Sequence, residues 1–106
     1  MKLSNRELFN TLILIERVRQ NKKFPNEERQ NSVSLEKWGI ILGEEFGEFL
    51  KEINDHDDLK AIIELTETAS VCLRIAEIYF SNDLLEEARK IMFDRTIKQK
   101  PAHGHE

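Results

Sequence analysis

Apolar residues recur along this chain every three or four positions, and polar residues fill the intervals. That spacing follows the 3.6-residue turn of an α-helix, whereas a half-buried strand would alternate strictly. Glycine and proline, which interrupt helices, number only four and two. Since 106 residues provide one modest core, the pattern predicts a single all-α domain of four helices.

The first helix is predicted to start after Ser4 and to run to about Gln20. Ser4 can cap this helix, and Glu7 three residues later completes a capping box. Its apolar stripe comprises Leu8, Phe9, Leu12, Ile13, Ile15 and Val18. A loop is expected over residues 21–33, where Phe24-Pro25-Asn26 precedes a polar stretch.

Three further helices are predicted after that loop. Ser34 can cap the second, which runs to about Asn54, and an acidic turn follows it. In that turn Asp57 or Asp58 can cap the third helix, which we expect to end near Phe80.

The fourth helix is predicted to start at Ser81-Asn82-Asp83. Its apolar face comprises Leu84, Leu85, Ala88, Ile91 and Met92. We expect the helical domain to span residues 1–98 and residues 99–106 to form a disordered tail.

Two pairs of glutamates at helical spacing interrupt the apolar stripes of helices 2 and 3. Rotation by about 100° per residue places Glu45 and Glu48 on one edge of the apolar face of helix 2. Glu64 and Glu67 take the same place on helix 3, whereas Glu44 points towards solvent. Since a short turn joins the two helices, we expect antiparallel packing that brings the four carboxylates together.

Four carboxylates at the edge of a core need compensation by cations or hydrogen bonds, because burying their charge is costly. Oxygen ligands without nearby histidine or cysteine suit Mg²⁺, and also Mn²⁺. The three histidines lie in the acidic turn and in the tail, which disfavours zinc. A di-iron site is disfavoured too, because both pairs read Glu-x-x-Glu instead of Glu-x-x-His. The competing interpretation is a solvated acidic face bordering the core.

Composition narrows the range of partners. A net charge of −4, from 16 basic and 20 acidic residues, argues against nucleic-acid binding. The single cysteine, Cys72, excludes an intramolecular disulfide and is expected in the core. No apolar run has the length of a signal peptide or a membrane span, so we expect a cytoplasmic protein that does not bind membranes.

Magnesium held by carboxylates commonly acts on phosphates, since it neutralises phosphate oxygens and activates water. Such a site needs basic partners, and Lys51 and Arg74 are candidates for substrate binding on helices 2 and 3. A structural salt bridge to a glutamate is the alternative for Arg74. Trp38 can stack on a base or pack in the core.

These residues resemble the MazG-like all-α nucleoside triphosphate pyrophosphohydrolases. Glu44-Glu45-x-x-Glu48, a gap, then Glu64-x-x-Glu67 is similar to the Glu-Glu-x-x-Glu … Glu-x-x-Asp signature of that family. The flanking segments that also match small single-domain members are Glu16-Arg17-x-Arg19-Gln20 with Lys23-Phe24, Lys37-Trp38-Gly39-Ile40-Ile41-Leu42, and Ala69-Ser70-Val71 with Leu73-Arg74. The resemblance covers roughly residues 8–79.

The resemblance implies a role for each acid. Glu45, Glu48, Glu64 and Glu67 would hold Mg²⁺, and Glu44 would lie in the outer shell, so that Glu44 and Glu45 are the predicted catalytic carboxylates. Glu67 departs from the family pattern, which has Asp there, so its side chain is one methylene longer.

The expected activity is Mg²⁺-dependent hydrolysis of a nucleoside triphosphate to monophosphate and pyrophosphate, by a homodimer or homotetramer. Two other classes stay open. One is a catalytically silent MazG-like protein that binds nucleotide or metal, and the other is an interaction bundle without a ligand.

Overall fold

A computed structural model describes residues 1–23 and 32–102, which form four α-helices and no strand. The helices are α1 (Asn5–Lys23), α2 (Leu35–Asn54), α3 (Asp58–Tyr79) and α4 (Asn82–Lys98). The prediction of four helices and an all-α fold is confirmed. None of the helices in the described ranges combines the length and apolarity that crossing a bilayer requires.

The predicted helix starts agree with the caps in the structure. Ser4 and Glu7 form the reciprocal capping box, with both backbone-to-side-chain distances at 3.1 Å. Ser34, Asp57 and Ser81 each accept a hydrogen bond from the backbone N–H three residues on. Each cap satisfies a backbone donor that the first helical turn leaves without a partner.

One boundary prediction was wrong, because α1 continues through residues 21–23, where a loop was expected. Lys22 and Lys23 occupy its last turn, where positive charge stabilises the helix by interacting with the negative end of its dipole. The rest of the predicted loop, with Phe24-Pro25-Asn26, lies outside the described residues. So does the end of the predicted tail, residues 103–106, whereas residues 99–102 are not helical.

The turn between α2 and α3 folds α3 back along α2. His56 adopts a positive φ of 57°, the left-handed conformation that commonly ends a helix. Its N–H donates to Ile53 O at 3.1 Å, and the Asp57 N–H donates to Glu52 O at 3.0 Å. These two bonds form a Schellman motif, so only Asp55 and His56 separate the end of α2 at Asn54 from Asp57, the cap of α3.

Helix α3 lies at the centre of the structure and packs against both α2 and α1. The residues it buries are small or short: Ala61, Thr66, Ser70 and Val71. Such side chains let neighbouring helices approach closely. Polar contacts also join α1 to α3, since Arg17 pairs with Glu77 at 2.5 Å and Arg74 donates to Asn21 at 3.2 Å.

The chain leaves much of its apolar surface uncovered. Its accessible surface is 9014 Å², about 2,800 Å² more than the roughly 6,200 Å² of a compact monomer of 12.5 kDa. The radius of gyration is 17.0 Å, against about 13 Å for a compact chain of this length. Helix α4 packs along none of the other three helices. Cys72, expected in the core, is exposed in the single chain because no described helix covers its side of α3.

Candidate metal centre

The turn at His56 brings the two glutamate pairs together. Glu45 and Glu48 on α2 and Glu64 and Glu67 on α3 each offer a carboxylate oxygen, and the four oxygens lie within 4.8 Å of one another. The pairs lie at similar distances from the turn along the chain, so they meet only if α2 and α3 run antiparallel.

The cluster lies at the boundary between the helix interface and solvent. Glu45, Glu64 and Glu67 are half-buried, whereas Glu48 is exposed and marks the open side. One oxygen each of Glu45 and Glu64, the Oε2 atoms, is inaccessible to water and has no hydrogen-bond partner among the described residues. A buried acceptor without a partner is costly, and a bound cation would satisfy both atoms.

The cluster alters the protonation of its own members. Burial is the main cause that raises the pKa of Glu64 to about 7, followed by the adjacent carboxylates of Glu48 and Glu67. Burial also raises the pKa of Glu67 to about 7, with Glu45 and Glu16 contributing. The pKa of Glu45 is raised as well, chiefly by burial. The ionised cluster is therefore unfavourable without a counter-ion at neutral pH.

The donor set fits a hard divalent cation. Oxygens on opposite sides of a Mg²⁺ ion are about 4.2 Å apart, since each Mg–O distance is about 2.1 Å. The four carboxylate oxygens, all within 4.8 Å of one another, are close to the spacing that a single Mg²⁺ ion requires. An all-carboxylate set favours Mg²⁺ or Mn²⁺ over zinc, which prefers nitrogen or sulfur ligands.

A fifth carboxylate, Glu16 of α1, lies near the cluster and differs from the other four. It is buried, and it accepts hydrogen bonds from Arg19 at 2.6 and 2.7 Å and from Gln20 at 3.0 Å. The Arg19 contact is the largest cause that lowers the pKa of Glu16. Glu16 therefore stays ionised and holds the Arg19 guanidinium in place by a bidentate pair.

Arg19 places a positive charge beside the cluster. After Glu16, the charges of Glu67 and Glu45 also raise the pKa of the Arg19 guanidinium. Arg19 therefore interacts electrostatically with one acid from each pair of the cluster. Its side chain is 53% exposed, so the donors that Glu16 does not use face solvent. An arginine held in this way can bind an anion that approaches the acidic site.

Sequence reasoning did not assign Glu16 and Arg19 to the site. The sequence did contain two indications. Glu16 lies within the apolar stripe of helix 1, and Arg19 and Gln20 follow it at the i, i+3 and i, i+4 spacing of helical side-chain pairs. What the sequence lacked was the packing of α1 on α3, which brings Glu16 near Glu67.

The other predicted site residues are Glu44, Lys51, Trp38 and Arg74. Glu44 is exposed on α2 and is not one of the four converging acids. Lys51, predicted to bind substrate, lies 3.7 Å from both Glu52 and Asp55 near the end of α2. Its predicted role in substrate binding stays a prediction.

Trp38 and Arg74 are half-buried. The Trp38 indole nitrogen has no hydrogen-bond partner among the described residues. The contact of Arg74 with Asn21 fixes the end of α1, and its predicted role in substrate binding stays a prediction.

Comparisons of this chain with known protein families, with curated proteins and with solved structures found no match.

Proposed function

We propose that this protein is a MazG-like hydrolase that converts a nucleoside or deoxynucleoside triphosphate to the monophosphate and pyrophosphate, with Mg²⁺ or Mn²⁺ as cofactor. The observation that carries the proposal is the convergence of Glu45, Glu48, Glu64 and Glu67, with two buried oxygens that lack hydrogen bonds. The adjacent Arg19 supplies the positive charge that a triphosphate needs.

In this proposal each residue has a distinct task. The four clustered acids hold the divalent cation, which, when bound, neutralises phosphate oxygens and makes water more acidic. Glu45 accepts the proton of the attacking water, because its carboxylate belongs to the cluster and therefore lies beside any water that the cation holds. Glu44, at the exposed edge, orients water. Cleavage between the α- and β-phosphates then releases pyrophosphate.

A pyrophosphate-release assay tests the proposal. Canonical and damaged nucleoside triphosphates are supplied with Mg²⁺ or Mn²⁺, and metal-dependent thermal shifts are recorded in parallel. We expect turnover with at least one triphosphate and none in EDTA. Absence of turnover across the whole panel, with either metal, would contradict the enzymatic assignment.

The competing function is a catalytically silent protein that binds nucleotide or metal. The longer side chain of Glu67, where the resembled family has Asp, is the feature that favours it. It predicts a thermal shift with metal and nucleotide but no pyrophosphate. An interaction bundle without a ligand predicts instead that Glu45→Ala is neutral or stabilising, with or without Mg²⁺.

Arg19 is predicted to bind the triphosphate directly. Replacing it with alanine removes a charge-assisted contact worth about 1.5–3 kcal/mol, so we expect KM for the nucleotide to rise about 10- to 100-fold. The expected effect on kcat is smaller, since the cation ligands are unchanged. Steady-state kinetics at saturating Mg²⁺ measures both constants.

Arg89→Ala is the matched control for Arg19→Ala. Arg89 pairs with Glu86 at the same i, i+3 spacing, but on α4. Its removal should leave KM within about twofold of the unmodified protein, because Arg89 is not beside the carboxylate cluster of α2 and α3 and loss of an exposed pair barely affects the fold. If both variants raise KM equally, Arg19 has no specific role in binding nucleotide.

We also infer that copies of the chain assemble with one another, as a homodimer or homotetramer in the cytoplasm, where the triphosphate substrate is found. The accessible surface exceeds that of a compact monomer by about 2,800 Å², which is more than the roughly 800 Å² per partner that a stable interface buries. Sedimentation at micromolar concentration should show no monomer. A clean monomer would contradict this inference.

A further inference from the structure

An apolar groove of about 670 Å³ runs between α1 and α3. Its apolar lining includes Leu8, Phe9, Leu12, Ile15, Ile62 and Ile63. At one end the lining becomes polar, with Glu16, Thr66 and Glu67. The groove therefore leads from the start of α1 to the carboxylate cluster, and its walls are too apolar to be left in contact with water.

Helix α4 presents an exposed apolar face whose length matches that of the groove. Leu84 and Met92 on its apolar face are 57% and 65% exposed, so the chain itself does not cover them. The apolar face spans residues 84–92, which is nine residues or about 12 Å of helix. The apolar part of α1, from Leu8 to Glu16, has the same length.

Charge sets the direction in which α4 would lie. The first half of α4 carries Asp83, Glu86 and Glu87. Arg6 lies in the first turn of α1, and Lys2 precedes that helix. The last turn of α4 carries Arg95 and Lys98, and the acidic end of the groove holds Glu16 and Glu67. The two ends match only if α4 runs parallel to α1.

Arg95 stands out on this helix. At about 100° per residue it lies in line with Leu84, Ala88 and Ile91, one turn beyond them on the apolar face. It forms no ion pair with any described residue. Arg95 is exposed in the single chain, but burying the apolar face of α4 in an interface would require an acidic partner for this cation.

We propose that the groove between α1 and α3 receives α4 of a second copy of this chain, which places Arg95 of the second copy beside Glu16 and Glu67. The interface would then border the carboxylate site at Glu16 and Glu67. The site is incomplete in the single chain, because Arg95 comes from the second copy. This inference rests on the proposed self-assembly and is independent of the proposed hydrolysis.

Site-specific photo-cross-linking in EDTA tests the arrangement without any requirement for activity. Benzoylphenylalanine replaces Leu12 in the groove, and the covalent dimer is separated on a denaturing gel and mapped by mass spectrometry. We expect the cross-link to join position 12 to peptides from residues 82–98. The same probe at Leu50, an exposed position of α2 away from the groove, should not capture α4.

Three results would overturn the proposal: no covalent dimer, a dimer linked to another helix, or a cross-link within one chain.

A charge-reversal pair provides a second measurement. Arg95→Glu should weaken dimerisation at least tenfold in sedimentation equilibrium, whereas Lys90→Glu, on the opposite face of α4, should leave it unchanged. Equal effects of the two substitutions would contradict the assigned position of Arg95.

Discussion

Replacing Glu64 with glutamine should abolish metal-dependent hydrolysis while leaving the metal-free fold intact. The substitution keeps the shape of the side chain but removes one of four converging negative charges. Loss of even an outer-shell partner of a metal commonly costs 10- to 100-fold in affinity or activity, so we expect at least a 100-fold loss of kcat/KM here.

The same substitution should remove most of the stabilisation by metal. A ligand that binds only the native state stabilises it by about 2.7 kcal/mol at a hundredfold excess over Kd, which is roughly 10 °C or more for a domain of this size. Without metal, Glu64→Gln should be as stable as the unmodified protein or slightly more so, because it relieves repulsion. Melting curves in EDTA and in millimolar Mg²⁺ measure both effects.

Glu86→Gln is the control, since Glu86 lies on α4 outside the cluster and contacts Arg89. It should retain activity and the full Mg²⁺-dependent shift. The metal-site proposal fails if the unmodified protein melts at the same temperature in EDTA and in Mg²⁺ or Mn²⁺, even with nucleotide present.

The local elements of this fold were predictable because their determinants are close together in sequence. Ser34 with Lys37, or Ser4 with Glu7, form a cap within four residues. The glutamate pairs were predictable for the same reason, since a 3.6-residue period places Glu45 and Glu48 on one edge. A short turn then leaves few ways to pack α2 and α3, so the carboxylate cluster followed.

Features that depend on distant segments were not predictable. Glu16 and Glu67 are far apart in sequence, and only the packing of α1 on α3 brings them to the same groove. The exposure of Cys72 also escaped prediction. An apolar stripe shows that a helix face needs a partner, but it does not show whether that partner belongs to the same chain.

Metal-free protein should become less stable as pH rises from 5.5 to 8. Glu64 and Glu67 have pKa values of about 7 in the native state, above the usual 4.3 of an unfolded glutamate. Their stabilising contribution is therefore complete below the unfolded value and is lost as pH rises through about 7. Glu16 does not alter this trend. Its pKa is lowered in the native state, so its contribution to the free energy of unfolding is constant at any pH above the pKa of an unfolded glutamate.

Magnesium should reverse this trend, because it binds the deprotonated carboxylates and gains affinity as they ionise. Melting curves at pH 5.5, 6.5, 7.25 and 8 in EDTA should show a falling melting temperature. In saturating Mg²⁺ the fall should vanish, so that the gap between the two series widens towards pH 8. A double variant, Glu64→Gln with Glu67→Gln, should flatten the EDTA series. An unmodified protein whose stability in EDTA stays level or rises over this range would show that these carboxyls do not take up protons on folding.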